Sequence, residues 1–193
     1  MNKRAATRKK TIIDAAIQVF SSKGYHNTRM EEIATIAGIG KGTIYEYFDS
    51  KLQLFQEMLE SSLQSYYETL DAGNKENMSF EERVYLLFEA HLIFCREQKQ
   101  LTRIIFWDTE IFDEELKDWT IQIRREKEEK LIAIVQKGMD QGEIRDVGAR
   151  LVSQVIIGSL GSIWMPITLE GWEVNPGDLA HQLTEILMNG IRN

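Results

Sequence analysis

Lys41, Thr43, Tyr45 and Tyr47 fall within seven residues, Lys51 follows them, and Thr28 and Arg29 precede them. No His-x-x-x-His or Cys-x-x-Cys pair accompanies them, so a metal centre lacks support here. They suit recognition of duplex DNA. Lys41 can reach a base acceptor or a phosphate, and Thr43 can meet a thymine methyl or a phosphate oxygen. The Tyr45 and Tyr47 hydroxyls can donate to phosphate on the groove walls, as can Lys51 on one side and Thr28 and Arg29, near helix amides, on the other. Gly40 and Gly42 leave room for a backbone to approach the duplex.

These residues need two short helices and a tight turn to hold them. Thr28-Arg-Met-Glu31 has the spacing of a capping box, and Met30, Ile33, Ala34 and Ala37 recur on one helical face. Gly38 ends that helix, and another starts near Lys41 with Ile44 and Phe48 facing inward. Upstream, residues 1–10 read as a basic arm leading into a helix with Ile13, Ala16, Ile17 and Phe20 as its stripe, stopped at Gly24. Phe20, Ile33, Ala37, Ile44 and Phe48 then form a small shared core. The same glycine turn would serve a plain αα-corner, but that reading gives the neighbouring polar residues no common purpose.

Charge supports a nucleic-acid partner at this end only. The chain of 193 residues carries a net charge of −7, yet residues 1–52 hold nine Lys and Arg against five Asp and Glu. The rest is strongly acidic, with fourteen against twenty-five. Two prolines and many strong helix formers predict an all-α chain, with a DNA-binding domain over 1–52 and a larger helical domain over 53–193. One cysteine, Cys95, fits a reducing compartment, and neither a signal-peptide pattern nor a membrane-length apolar stretch is expected, so the protein is placed in the cytoplasm with no membrane partner.

A capping box at Ser50–Gln53 starts a longer helix that joins the two domains, a polar break over 71–77 follows, and Ser79–Glu82 is a further box. A bent helix over 101–112, one long helix over 116–139 with a solvated Arg124–Lys130 face, and two apolar terminal helices follow. The first of these, over 147–164, carries Gly158, Ser159, Gly161 and Ser162 and is closed by Pro166. The last, near 177–191, carries Leu179, Leu183, Ile186, Leu187 and Ile191. Together they predict a homodimer interface.

The run Thr28-x-x-x-x-Ile33-Ala34-x-x-Ala37-Gly38-x-x-Lys41-Gly42-Thr43-x-Tyr45-x-Tyr47-Phe48-x-x-Lys51-x-x-Leu54 resembles the DNA-binding domain of TetR-family transcriptional regulators. The resemblance implies about nine helices, a three-helix DNA-binding head, and a C-terminal domain that dimerises through its last two helices and encloses an effector. It implies major-groove contacts from Lys41, Gly42 and Thr43, and phosphate contacts from Thr28, Tyr45, Tyr47 and Lys51. Gly40 departs from the family's usual serine, which would cap the recognition helix. In general look the chain is similar to the fatty-acid-responsive members.

Effector residues do not carry over by resemblance. Phe94, Phe106, Trp107, Trp119, Trp164 and Met165, with His91 and Arg103 as polar fixtures, are candidates for an apolar pocket. Such a pocket suits a fatty acyl chain, an aromatic compound or a lipophilic drug. An aromatic stripe at helical spacing is more often core, and His91 reads more readily as a core histidine than as a ligand. No cofactor is expected, and no metal, because the three histidines stand far apart and no Cys-x-x-Cys pair occurs. The expectation is a repressor released from a palindromic operator by a small apolar effector, with the Ser50–Tyr67 helix as mechanical link. Its rivals are a helical interaction module without DNA and an enzyme with an appended helix-turn-helix.

Overall fold

The computed structural model describes residues 3–71, 78–106 and 114–191, without the side chains of 3, 69–71, 114–117, 119 and 120. All regular structure among them is helical. The elements are α1 (Lys3–Asn27), α2 (Met30–Ile36), α3 (Lys41–Tyr45), α4 (Lys51–Asp71), α5 (Phe80–Glu97), α6 (Lys99–Phe106), α7 (Glu114–Asp140), α8 (Ala149–Thr168) and α9 (Pro176–Ile191). They form two compact units. One holds the described residues through Ser65 with α6 from Gln100; the other holds 66–99 and the described residues from Glu114.

In the first unit α2 packs on α1 and on α3. The expected core is present: Phe20, Ile33, Ala37, Ile44 and Phe48 are all buried. The stripe of α1 is rotated from the expected one, since Ile12, Ala15, Ala16, Val19 and Phe20 are buried while Ile13 and Ile17 are half-buried. Phe55 of α4 meets Phe20 edge-on at 5.0 Å and Tyr25 at 5.0 Å, so the head of α4 closes the same core. The basic start is helix from Lys3 rather than an arm, and within it Lys9 pairs with Glu57 and lies over the Phe48 ring. Gly24 breaks α1 as expected, with φ 75° and ψ 168°.

In the second unit α5 packs against α9 and α8, and α7 against α8. Ser79 and Glu82 cap α5 reciprocally, at 3.2 Å from the Glu82 amide to Ser79 Oγ and 2.8 Å from the Ser79 amide to Glu82 Oε2. At the head of α4 the box is offset: Ser50 Oγ accepts from the Gln53 amide, but Gln53 Oε1 reaches the Asp49 amide. Part of the expected polar break, 72–77, and the bend at Thr109 lie outside the described residues.

Three expectations for the later helices need correction. Pro166 sits inside α8 instead of closing it, and α8 runs on to Thr168. The Arg124–Lys130 face is not merely solvated, since Glu128 and Glu129 are held by Arg150 of α8 at 3.1 and 2.9 Å. And α8 is, by length and apolarity, a helix that can cross a membrane, which the sequence reading did not anticipate. Its Val152, Ser153, Ile156, Leu160, Trp164 and Ile167 are buried within the helical unit.

The opposite face of α8 is exposed. Leu151, Val155, Gly158, Ser162 and Met165 recur at i, i+4, i+7, i+11 and i+14, and Leu151 is 62% exposed. On α9, Pro176, Ala180, Thr184, Met188 and Ile191 are buried, which turns Ile186 outward to 73% exposure with Leu179, Leu183 and Leu187 half-exposed beside it.

Candidate nucleic-acid interface and effector core

The turn Ala37–Gly40 sets the angle between α2 and α3. Gly38 takes φ 65°, and the Ile39 amide donates back to the Ala34 carbonyl at 3.0 Å. Gly40 is the N-cap of α3 with no side-chain cap, its carbonyl accepting from Thr43 and Ile44. Neither Gly40 nor Gly42 has a positive φ, and an added Cβ would meet only Thr43 Oγ1 at 3.9 Å at Gly40 and nothing within 4 Å at Gly42. Packing within the chain therefore does not demand glycine at either place.

With Ile44 and Phe48 buried, α3 turns Lys41, Gly42 and Tyr45 outward and leaves Thr43 and Tyr47 half-buried. Tyr45 is 43% exposed. Neither phenol makes a hydrogen bond among the described residues, so both hydroxyls remain available to an outside acceptor. The Lys41 ammonium is paired with Glu31 Oε1 at 2.6 Å. That pairing holds the Lys41 pKa above its ordinary value and the Glu31 pKa below its own.

The α2 end differs from the sequence reading. Thr28 is 2% exposed, and its hydroxyl donates to the Gly24 carbonyl at 2.7 Å, so it does not cap α2. The N-cap is the exposed Arg29, and Glu32, not Glu31, reaches back to the Arg29 amide at 3.2 Å. Gly24 explains the shift by one residue: its break leaves a carbonyl that Thr28 satisfies. Lys23 pairs with Glu32 at 2.6 Å, and Glu32 has its pKa lowered by Lys23 first and by the Arg29 amide second.

Lys51 is placed for another task than the one its charge suggested. Its ammonium donates to the carbonyls of Tyr25 at 2.8 Å, Thr28 at 3.1 Å and His26 at 3.4 Å, and lies 4.3 Å from the Tyr25 ring centroid. Burial lowers its pKa. All three N–H groups are thus spent on the α1–α2 connection, tying the head of α4 to the start of the helix-turn-helix. Lys51→Met should destabilise the chain by about 1 kcal/mol, because charge-assisted hydrogen bonds are lost at a partly wet site. The salt dependence of DNA binding should stay unchanged; urea denaturation and a salt titration check the two halves.

Of the eight residues expected around an effector, the structure buries three in the second unit. His91, Phe94 and Trp164 are all part of its core. Tyr66 OH stands 2.7 Å from His91 Nδ1, and Cys95 Sγ lies 3.4 Å from Nε2, one turn along α5. Desolvation lowers the His91 pKa to about 4, the Leu160 carbonyl opposing it, and burial raises that of Tyr66. His91 is therefore a satisfied core histidine, not an open polar fixture. The His91–Cys95 spacing was visible in the sequence; the Tyr66 partner, twenty-five residues away, carried no local signal.

The other five are not among the buried residues of that unit that the structure describes. Met165 falls on the exposed face of α8 with Leu151 and Val155. Arg103 is exposed and Phe106 half-buried on α6, in the first unit. Trp107 and the Trp119 side chain lie outside the described residues. A surface cleft of about 270 Å³ between the start of α5 and the end of α7 is lined by Phe80, Arg83, Ile134, Lys137 and Glu143 among others, and contains none of the eight.

Comparison with known proteins bears on both units. The family described as "Bacterial regulatory proteins, tetR family" matches residues 12–58, and "Tetracyclin repressor-like, C-terminal domain" matches 77–191. The chain is 27% identical to the "Fatty acid metabolism regulator protein" of Bacillus subtilis over 188 residues, 94% of each chain. It is 31% identical over 155 residues, 78% of each, to the HTH-type transcriptional regulator YhgD of the same organism. Among solved structures it is similar to the transcriptional regulator FadR of Bacillus subtilis in complex with stearoyl-CoA, at TM-score 0.80 and 25% identity, over 95% of this chain and 99% of that one.

Proposed function

Because the chain belongs to the tetR family of bacterial regulatory proteins, we propose that it is a cytoplasmic, homodimeric repressor released from a palindromic operator by an acyl-CoA. The observation that carries the reading is the likeness, over nearly the whole of both chains, to a fatty-acid regulator solved with stearoyl-CoA. DNA contact is confined to residues 1–52, and 53–193 hold the effector and the twin subunit. The protein senses the acyl-CoA and performs no chemistry on it.

Each subunit sets α3 in a major groove. Lys41 and Thr43 read base edges, and Tyr45, Tyr47 and Arg29 meet phosphate. Gly40 and Gly42, which the chain's own packing does not require, keep the backbone thin where it faces the duplex. Thr28 and Lys51 act from beneath by fixing the α1–α2 connection. The exposed faces of α8 and α9 pair with those of the twin, so the separation of the two α3 helices is set by the helical units. An acyl-CoA that fits only the units of wrong separation lowers DNA affinity by differential binding.

Selection of bound duplexes from a random pool by the full-length protein tests this, and should return two inverted half-sites about one helical turn or a multiple apart. Tyr47→Phe should weaken binding to selected and random duplex alike, by about 1 kcal/mol for one hydrogen bond. Lys41→Ala or Thr43→Ala should instead change which sequences are selected. Uniform loss from all three would refute this division of roles.

A further inference from the structure

The first helix of the helix-turn-helix opens with two carboxylates, an arrangement that disfavours approach to phosphate. Glu32 has an internal reason to be there, because it accepts from the Arg29 amide and pairs with Lys23. Glu31 accepts from its own amide in the same first turn, but its main partner lies on the other helix. Its Oε1 holds Lys41 Nζ at 2.6 Å, and both side chains are open, at 47% and 66% exposure. A pair so exposed adds little to stability. Lys41 is the first residue of α3 and Glu31 the second of α2, so the pair joins the first turns of the two helices that the Gly38 turn connects.

The pairing alters what Lys41 can do. A free ammonium is drawn to any phosphate within reach, and phosphate contact carries no sequence information. Held by a carboxylate, the ammonium loses most of its long-range pull yet keeps two N–H groups for an acceptor at close range. Guanine presents two acceptors, O6 and N7, on its major-groove edge. The carboxylate keeps further lone pairs that can accept, and the only amine donors on that groove floor are those of cytosine and adenine. A cytosine amine next to a lysine-bound guanine satisfies both groups together.

We infer that Glu31 is a specificity-determining residue that holds the Lys41 ammonium over base edges and away from phosphate, with the pair reading a guanine and a neighbouring cytosine amine. This rests on the DNA-binding reading above. A test with the full-length protein compares wild type, Glu31→Gln, Lys41→Ala and the double variant. Each is titrated with random-sequence duplex over a range of salt and used to select duplexes from a random pool.

Glu31→Gln frees Lys41 for a phosphate, so the logarithmic salt slope on random duplex should steepen by about 0.9 per subunit, with affinity up about fivefold at low salt. The selected pool should lose its preference at one G·C pair in each half-site. With Lys41→Ala already present, Glu31→Gln should change the slope far less, because the effect passes through Lys41. Thermal melting should be unchanged, which separates this role from a structural one. An unaltered salt slope and an unaltered pool, or the same change with Lys41 absent, would overturn the inference. Failure of the DNA-binding reading shows elsewhere, as wild-type protein that binds no duplex at low salt.

Discussion

Ile186→Asp should turn the dimer into monomers of 22.4 kDa and weaken binding to a two-half-site duplex by about 10²–10⁴-fold, the advantage lost when two linked contacts become one. Ile186 is the most exposed large apolar residue of α9, and Leu151 and Val155 of α8 present a second apolar row. Gly158 and Ser162 between them let another helix approach closely, and space beside Gly158 is open to at least 4 Å. A carboxylate placed at the centre of such a contact is desolvated without a partner, and twofold symmetry sets it near its own twin. Because Ile186 points away from its own core, the far-UV circular dichroism should not change. Sedimentation and anisotropy on the selected duplex read the two effects. A variant that remains dimeric and binds with wild-type affinity would place the interface elsewhere.

The second large effect concerns acid. His91 is neutral in the folded chain, with its pKa at about 4, whereas an unfolded histidine lies near 6.5. The unfolded state therefore takes up a proton at higher pH than the folded state does. The stability contributed by keeping His91 neutral is complete above pH 6.5 and is lost as pH falls from there toward 4. Between pH 7 and pH 5 the loss should be about 2 kcal/mol. Among the described residues the ring meets the Tyr66 hydroxyl, the Cys95 thiol and the Leu160 carbonyl, none of them a carboxylate. Urea denaturation at fixed protein concentration and several pH values measures this. His91→Gln should be less stable at pH 7 yet lose its share of the pH slope, so the two proteins converge toward pH 5. Parallel pH profiles would mean that His91 is not a buried neutral base.

Residues whose neighbours lie close in the chain were legible in the sequence, and those whose partners lie far along it were not. The α2–α3 pair was readable because Ile33, Ala37, Ile44 and Phe48 carry helical period on either side of Gly38. The cap of α5 was readable because Ser79 and Glu82 satisfy each other across one turn. Thr28 had the same spacing but a nearer use, the carbonyl freed at Gly24, and its helix begins one residue late. Lys51 looked like a phosphate ligand because charge is a local property. Its binding by three carbonyls twenty-three to twenty-six residues away is not local.

The effector side was less legible for a related reason. Aromatic residues at helical spacing look alike whether they fill a core or line a pocket, and only tertiary packing separates His91, Phe94 and Trp164 from Met165 on the outer face. Pro166 misled in the opposite direction. A proline costs a helix one hydrogen bond, and Ser162, whose carbonyl it leaves unmatched, stands on the exposed face where water can meet that need. The helix continues, and Ile167 reaches the core one residue later.

On the proposed function, DNA binding by the α3 pair answers to an acyl ligand held in the helical units. Anisotropy of a labelled duplex taken from the selection, half-saturated with wild-type protein, measures this directly as stearoyl-CoA is added, with coenzyme A alone as control. Stearoyl-CoA should return the anisotropy to that of free duplex, and coenzyme A should not. A complex that persists at saturating stearoyl-CoA would contradict it.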